Sequence, residues 1–144
     1  TGERLSFYAS KLANSLAKIL YSQLQDLEEN IKHRKKIATI YNKQLNNQKI
    51  IKPRFDNESL FLRYAILSSK PEKIKSYAKK ENIILGDWYN QAIAPRGVDI
   101  KSSHYIAGSC PKAEEISSKS INLPTNINIT VDDANRIVNL INKF

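Results

Sequence analysis

The sequence predicts an α+β fold in which a long N-terminal helix is followed by a small, mainly antiparallel sheet of three or four strands, with helices packed on one face. Two observations support this prediction. Residues 9–45 carry apolar side chains at the three- and four-residue spacing of one helical face, with no Gly or Pro. Residues 49–144 then alternate short apolar runs with amphipathic segments, which is typical of a small α+β sandwich.

The first helix is predicted to be longer than the body it belongs to. At a rise of about 1.5 Å per residue it would span roughly 50 Å, whereas a small domain has a diameter of about 30 Å. Part of the helix should therefore project beyond the core. A basic run at residues 32–36 interrupts the apolar face and is expected to turn partly to solvent. The apolar positions are Leu12, Leu16, Ile19, Leu20, Leu24, Leu27, Ile31, Ala38, Tyr41 and Leu45.

Four short segments are predicted to be extended. Residues 50–53 end at Pro53, and residues 60–67 form the clearest strand, with both faces largely covered. Residues 83–85 and 120–123 are two further strand candidates. One side of the clearest strand carries Leu60, Leu62, Tyr64 and Ile66, and the other side carries Arg63.

Three helices are predicted between and after these strands. Pro71 and Pro111 each suit a first helical turn, because proline lacks the N–H that would remain unsatisfied there. Thr130 and Asp133 form the pattern of a capping box, which marks the start of the last helix. The three helices are expected to run through Ile74, Tyr77 and Ala78, then Ala113, Glu114 and Ile116, then Ala134, Ile137, Val138 and Ile141.

Composition limits the class of protein. A chain of 144 residues with 41% hydrophobic content allows one domain with a modest core. One cysteine excludes an internal disulfide, and without an apolar run of about 18 residues we expect a cytoplasmic protein that has no membrane span or signal peptide. The chain has no methionine and begins with Thr1, so we expect it to be a piece of a longer protein.

Charge leaves a basic nucleic-acid-binding module open as an alternative. The 23 Lys and Arg residues exceed the 14 Asp and Glu residues, which gives a formal charge of +9. The lysines are spread along the chain, however, and a basic run on a long helix is more often a solvated face. Charge alone therefore does not identify a nucleic-acid site.

Few residues carry a pattern of metal binding or catalysis. His33 and His104 are far apart and lack a second ligand at metal spacing, so we expect a solvated histidine and a loop histidine. Cys110 adjoins a predicted helix N-terminus but is expected to pack as a small apolar side chain. The acidic pairs at 114–115 and 132–133 lie in first helical turns, where the helix dipole favours carboxylates without any catalytic role.

Trp88, Tyr89 and Asn90 form the clearest candidate ligand contact. A large aromatic pair followed by an amide, at the exit of a predicted strand and in a loop that contains Pro95, is suited to stacking on a ligand and hydrogen-bonding it. Packing of Trp88 in the core is the alternative interpretation.

Three segments together resemble the C-terminal part of the DegT/DnrJ/StrS family, the pyridoxal-phosphate sugar aminotransferases of fold type I. The first is residues 11–45, with an Asn-containing helix followed by Gln-Leu, Arg, Ile-Ala and Tyr. The second is GDWYNQAIAP at 86–95, and the third, at 108–141, contains Cys-Pro-x-Ala-Glu and Asn-Leu-Pro-Thr. They occur in the family's order and span nearly the whole chain.

The resemblance implies an enzyme that passes an amino group from a donor, usually glutamate, through pyridoxal phosphate to a keto sugar carried on a nucleotide, for surface polysaccharides. It implies a homodimer in which residues 1–48 are a lead-in and connecting helix and residues 49–144 are the small domain. The Schiff-base lysine of the family lies in a large domain that precedes this helix. The chain alone is therefore expected to hold no catalytic residue and no cofactor.

The resemblance also implies a cofactor contact before the long helix. Many family members carry Gly-x-Asn-x-Arg there, whose asparagine reaches the cofactor phosphate of the neighbouring subunit, but this chain has Phe7, Ala9 and Lys11 at the matching positions. Tyr8 and Asn14 do match. We therefore expect Lys11, as a charge replacement, and Asn14 to be the cofactor-binding residues.

By family position, the loop at 86–95 faces the entrance for the sugar nucleotide, and its expected substrate-binding residues are Asp87, Trp88, Tyr89 and Asn90. A third possibility is a non-catalytic scaffold or sugar-sensing protein, because some relatives of this family lack the lysine.

Overall fold

A three-stranded antiparallel sheet and five helices make up the computed structural model, which describes residues 11–56, 58–93, 97 and 102–144. In chain order the elements are α1 (Asn14–Gln25), α2 (Leu27–Gln44), β1 (Ile50–Ile51), β2 (Arg63–Ser68), α3 (Pro71–Lys80), α4 (Pro111–Lys119), β3 (Ser120–Pro124) and α5 (Val131–Asn142). The strands lie side by side in the order β1, β2, β3. This arrangement confirms the predicted α+β class.

The core lies where the inner face of the sheet meets the apolar stripes of the helices. Along β2, Tyr64 and Ile66 are buried whereas Ala65 between them is exposed, because successive side chains of a strand point to opposite faces. The predicted inner stripe of α5 is fully buried. The cluster contains Ile37, Ala38, Tyr41, Leu45, Ile50, Tyr64, Ile66, Ile74, Ala78, Leu85, Ile121, Leu123, Ala134, Ile137, Val138, Leu140 and Ile141.

Two buried tyrosines fasten α2 to the sheet. The hydroxyl of Tyr41 donates to the carbonyl of Pro124 at 2.8 Å, and that of Tyr64 donates to Asn42 Oδ1 at 3.0 Å. Burial raises the pKa of Tyr64 to about 12, and burial followed by the charge of Asp133 raises the pKa of Tyr41 well above its usual value. Both hydroxyls therefore stay protonated and keep donating at neutral pH.

The predicted strand at 60–67 starts later than expected. Leu60 and Leu62 are 51% and 72% exposed, and the ladder begins with Arg63 opposite Pro124. Pairing stops there because proline has no N–H to donate to a neighbouring strand. The prediction of covered faces is wrong for these two leucines.

The strand predicted at 83–85 is wrong as well. Ile84 is 86% exposed. The chain pairs with the sheet only at Gly86, just after the predicted strand, through an isolated bridge to Asn122. The two backbone hydrogen bonds of this bridge measure 2.9 and 3.0 Å. The segment therefore touches β3 at a single point instead of forming a fourth strand.

The predicted continuous helix is divided at Asp26. This residue has φ −89° and ψ 2°, outside the usual α-helical values, and its carbonyl accepts bonds from both the backbone N–H and the side-chain amide of Asn30. Aspartate favours such terminal positions over helix interiors. The first element also begins at Asn14, and residues 9 and 10 lie outside the described residues. Projection beyond the core is confirmed, because α1 contains no buried residue.

The basic run is only partly a solvated face. Arg34 Nη1 donates to the carbonyl of Leu62 at 2.8 Å and to Thr125 Oγ1 at 3.0 Å, and His33 Nε2 forms a hydrogen bond with the carbonyl of Asn126 at 3.1 Å. Thr125 is fully buried and also lies within bonding distance of the carbonyl of Phe61. The expectation of a solvated His33 is therefore wrong, because these two side chains connect α2 to the end of the β2–β3 pair where Arg63 faces Pro124.

Replacement of Thr130 by Ala should lower the free energy of unfolding by about 1 kcal/mol. Thr130 Oγ1 accepts from the N–H of Asp133 at 3.1 Å, and Asp133 Oδ2 accepts from the N–H of Thr130 at 3.1 Å. The Thr130 hydroxyl also holds the pKa of Asp133 below its usual range. The stability that comes from this lowered pKa is complete above the usual range and is lost as the pH falls through the lowered pKa. Denaturant unfolding at several pH values measures it. Thr130→Ser should keep most of the stability, and equal stability of wild type and Thr130→Ala would contradict the assignment.

Expressed alone, this chain should self-associate through the apolar side of α1. We define the α1 strip as Leu16, Ile19, Leu20 and Leu24, which are between 46% and 56% exposed. Exposed contiguous apolar surface favours association. Sedimentation velocity should show a mass that rises with concentration, and Leu16→Gln combined with Leu20→Gln should reduce it. Leu62→Gln, an equally polar change at an exposed leucine outside the strip, serves as the control, and a wild-type monomer at every concentration would disprove the prediction.

Candidate functional site

Residues 86–90, which we call the aromatic loop, are attached to the outer edge of the sheet by Asn122. Its side chain is buried on β3, opposite the inward face, and its Nδ2 donates to the carbonyl of Trp88 at 2.8 Å. The backbone of the same residue pairs with Gly86. Two residues of the loop are therefore fixed by one residue of β3, which gives the loop a defined exit from the sheet.

Trp88 and Tyr89 present their rings outward from this attachment. Trp88 is 57% exposed and Tyr89 is 63% exposed, so the alternative of a core tryptophan is wrong. Their ring centroids lie 6.3 Å apart with an interplanar angle of 72°, an edge-to-face arrangement. Tyr89 has a φ of +61°, in the left-handed region that non-glycine residues rarely adopt, and residues held in that way concentrate at functional sites.

The other two predicted substrate residues lie on either side of the aromatic pair. Asn90 is half-buried, and its Nδ2 is enclosed without a hydrogen-bond partner among the residues that the structure describes. A buried amide donor without an acceptor is costly, which makes it a position where a ligand oxygen would be favourable. Asp87 instead lines a cavity of about 520 Å³ along α3, together with Lys75 and Lys79.

Arg63 completes the group, although the sequence did not mark it as a site residue. Its Cζ lies 4.5 Å from the centroid of the Trp88 ring, within the range of a cation–π contact. The signal in the sequence was a charged residue within an otherwise apolar strand. The structure therefore brings together Arg63, Trp88 and Tyr89 from two separate segments.

The predicted cofactor residues lie at the other end of the described chain. Lys11 and Asn14 are exposed at the start of α1, where the N-cap residue is Ala13 and provides no side-chain acceptor. The backbone N–H groups of a first helical turn attract anions when no side chain caps them. An exposed ammonium and a helix start without a side-chain cap each have the chemistry that binds a phosphate group.

A loop before α4 is held by Glu114. Its Oε1 accepts from the hydroxyl of Tyr105 and from the N–H of Gly108, both at 2.7 Å. The Tyr105 hydroxyl, followed by the Gly108 N–H, keeps the pKa of Glu114 below its usual value. Glu114 thus has a structural role beyond its place in the helix dipole.

Cys110, the N-cap residue of α4, is exposed, and α4 buries only Ser117. The expectation that Cys110 packs as an apolar side chain is therefore wrong.

Other chemistries find no support in the part of the chain that the structure describes. No group of three or more His, Cys, Asp and Glu side chains could hold a metal ion among residues 11–56, 58–93, 97 and 102–144. No described helix is both long enough and apolar enough to cross a membrane.

Comparison with known proteins identifies the family. The DegT/DnrJ/EryC1/StrS aminotransferase family matches residues 2–142. A DegT DnrJ EryC1 StrS aminotransferase from Brucella abortus is 25% identical, with a TM-score of 0.73 over 89% of this chain and 34% of its own. A comparison with curated proteins gave no match.

Two more distant structures share the fold. DesV from S. venezuelae, solved in complex with a ketimine intermediate, is 16% identical, with a TM-score of 0.78 over 99% of this chain and 40% of its own. Helicobacter pylori PseC, an aminotransferase involved in the biosynthesis of pseudoaminic acid, is 16% identical, with a TM-score of 0.71 over 98% of this chain and 42% of its own. The chain therefore spans well under half the length of these solved relatives. Because the family match extends over nearly all of its residues, this chain is a member of the DegT/DnrJ/EryC1/StrS aminotransferase family.

Proposed function

We propose that this chain is the C-terminal part of a pyridoxal-phosphate-dependent aminotransferase that acts on a nucleotide-linked keto sugar, with glutamate as amino donor. The observation that carries the proposal is the family match over residues 2–142. In this proposal residues 1–48 are the lead-in and connecting helix, residues 49–144 are the small domain, and a large cofactor domain belongs to the rest of the protein. The enzyme would work as a homodimer in the cytoplasm.

The cofactor assignment is supported by the character of the described lysines. Pyridoxal phosphate, when bound, accepts the amino group from the donor and delivers it to the keto sugar. A Schiff-base lysine needs a desolvated pocket, but no described lysine is buried. The half-buried Lys75 and Lys119 are each paired with a carboxylate, Glu72 at 2.6 Å and Glu115 at 2.9 Å. We therefore assign the lysine to the large domain and assign to Lys11 and Asn14 a contact with the cofactor phosphate of the neighbouring subunit.

The substrate assignment rests on the aromatic loop. The exposed rings of Trp88 and Tyr89 offer faces on which a base or sugar can stack, and the enclosed amide of Asn90 needs an acceptor. Asp87 would accept hydrogen bonds from sugar hydroxyls at the edge of the loop. A nucleic-acid-binding role loses support, because Arg34 and His33 of the basic run are used in contacts with Leu62, Thr125 and Asn126.

The complete protein that carries this chain should release 2-oxoglutarate when it is given pyridoxal phosphate, glutamate and a nucleotide-linked 3-keto or 4-keto sugar. This chain alone should form no stoichiometric, borohydride-trappable adduct between pyridoxal phosphate and a single lysine. Mass spectrometry after reduction measures the second result. A specific adduct on the isolated chain would overturn the assignment of the lysine to another domain. Binding of nucleotide sugars by the complete protein without any amino transfer would favour the sugar-sensing alternative.

Truncation of Trp88 or Tyr89 to Ala should raise KM for the nucleotide sugar and leave the half-reaction with glutamate unchanged. Stacking on an aromatic side chain contributes about 1–3 kcal/mol, or roughly a 10- to 100-fold change in KM. Because both rings are exposed, the melting temperature should change little. Trp88→Phe and Tyr89→Phe keep a ring and are the controls. Loss of the glutamate half-reaction in either Ala variant, or an unchanged KM in both, would remove this loop from the substrate site.

A further inference from the structure

The guanidinium of Arg63, on β2, lies against one other segment of the chain, the start of the loop that carries Trp88. It lies over the ring of Trp88, and its Nη1 occupies the space beside Gly86, the residue that bridges to Asn122 of β3. A Cβ at Gly86 would lie only 3.1 Å from Arg63 Nη1 and 3.1 Å from the Cβ of Asn122. The absence of a side chain at residue 86 therefore leaves the space that the guanidinium occupies.

This arginine differs from the other arginines that the structure describes. Arg34 donates to Leu62 and Thr125, Arg54 pairs with Asp56 at 3.7 Å, and Arg136 pairs with Asp133 at 3.8 Å. Among the described residues, the Arg63 guanidinium has no acceptor for any of its five N–H groups. Stacking on tryptophan uses the flat face of a guanidinium, so its in-plane donors remain available.

We propose that Arg63 binds a phosphate of the nucleotide-linked sugar while Trp88 and Tyr89 stack on the ring attached to it; this rests on the proposed function. A guanidinium whose N–H groups have no acceptor among the described residues matches a tetrahedral oxyanion, with which arginine forms bidentate hydrogen bonds. The carboxylate of the amino donor is the other oxyanion in the reaction. A phosphate of the nucleotide sugar fits better than this carboxylate, because the exposed aromatic pair beside Arg63 offers a surface on which a ring can stack. Glutamate has no ring.

Calorimetry on the complete protein loaded with pyridoxal phosphate tests the assignment. Because the cofactor phosphate site is then filled, uridine diphosphate, thymidine diphosphate and pyrophosphate report on a second phosphate site. Arg63→Gln should weaken binding of the tighter diphosphate about 10- to 100-fold, as expected for loss of charge-assisted hydrogen bonds. Arg63→Lys should recover part of the lost affinity. Arg54→Gln should have no effect on diphosphate binding, and it is the matched control because it removes the same charge from an exposed arginine of the same part of the chain.

A merely structural role for Arg63 gives a different pattern. If Arg63 only orients Trp88, Arg63→Gln would weaken the binding of uridine and of uridine diphosphate by the same factor. It would not change the affinity for pyrophosphate measured by competition. That result overturns the proposal, as does the absence of measurable diphosphate binding to the wild type. A higher KM for glutamate in Arg63→Gln, with unchanged diphosphate affinity, would assign the arginine to the donor carboxylate instead.

Failure of this inference is distinguishable from failure of the proposed function. Unchanged diphosphate affinity in Arg63→Gln, in a protein that still transfers amino groups to a nucleotide-linked sugar, refutes only the role of Arg63. Equal melting temperatures of wild type and Arg63→Gln exclude misfolding as the cause of any loss. Gly86→Ala is a second variant, expected to weaken diphosphate binding by displacing the guanidinium without removing its charge.

Discussion

The antiparallel pairing of β2 with β3 determines on which face of the sheet the core and the candidate site lie. Its register, from Arg63 opposite Pro124 to Leu67 opposite Ser120, directs Tyr64, Ile66 and their partners toward the helices. The same register leaves Arg63 and Asn122 on the opposite side, where the aromatic loop attaches. A shift by one residue would exchange the two faces, so the core and the candidate site depend on one set of hydrogen bonds.

Local patterns were sufficient for the elements whose signals are contained within a few residues. The start of α5 follows from Thr130 and Asp133, and its buried face follows from helical spacing, because both depend on neighbours within one or two turns. The extent of β2 could not be obtained in this way. It is limited by Pro124, about 60 residues away in sequence, and the exposure of Leu60 and Leu62 follows from that distant partner.

The candidate site shows the same division. A tryptophan and a tyrosine followed by an amide stand out in the sequence, and the loop that contains them is exposed as a ligand contact requires. The arginine could not be assigned from the sequence, because its contact with Trp88 exists only once the register of β2 and the bridge at Gly86 are known. The roles of Arg34 and Thr125 could not be predicted for the same reason, because these two residues form a hydrogen bond although they are 91 residues apart in sequence.

The hydrogen bond from Arg34 to the carbonyl of Leu62 has a mechanical consequence. That carbonyl and the nitrogen of Arg63 belong to one planar peptide unit, which does not bend at this point. The helix α2 is therefore linked directly to the peptide unit that precedes the strand residue carrying the guanidinium. Arg34 therefore supports the candidate site from a helix that contributes no side chain to it.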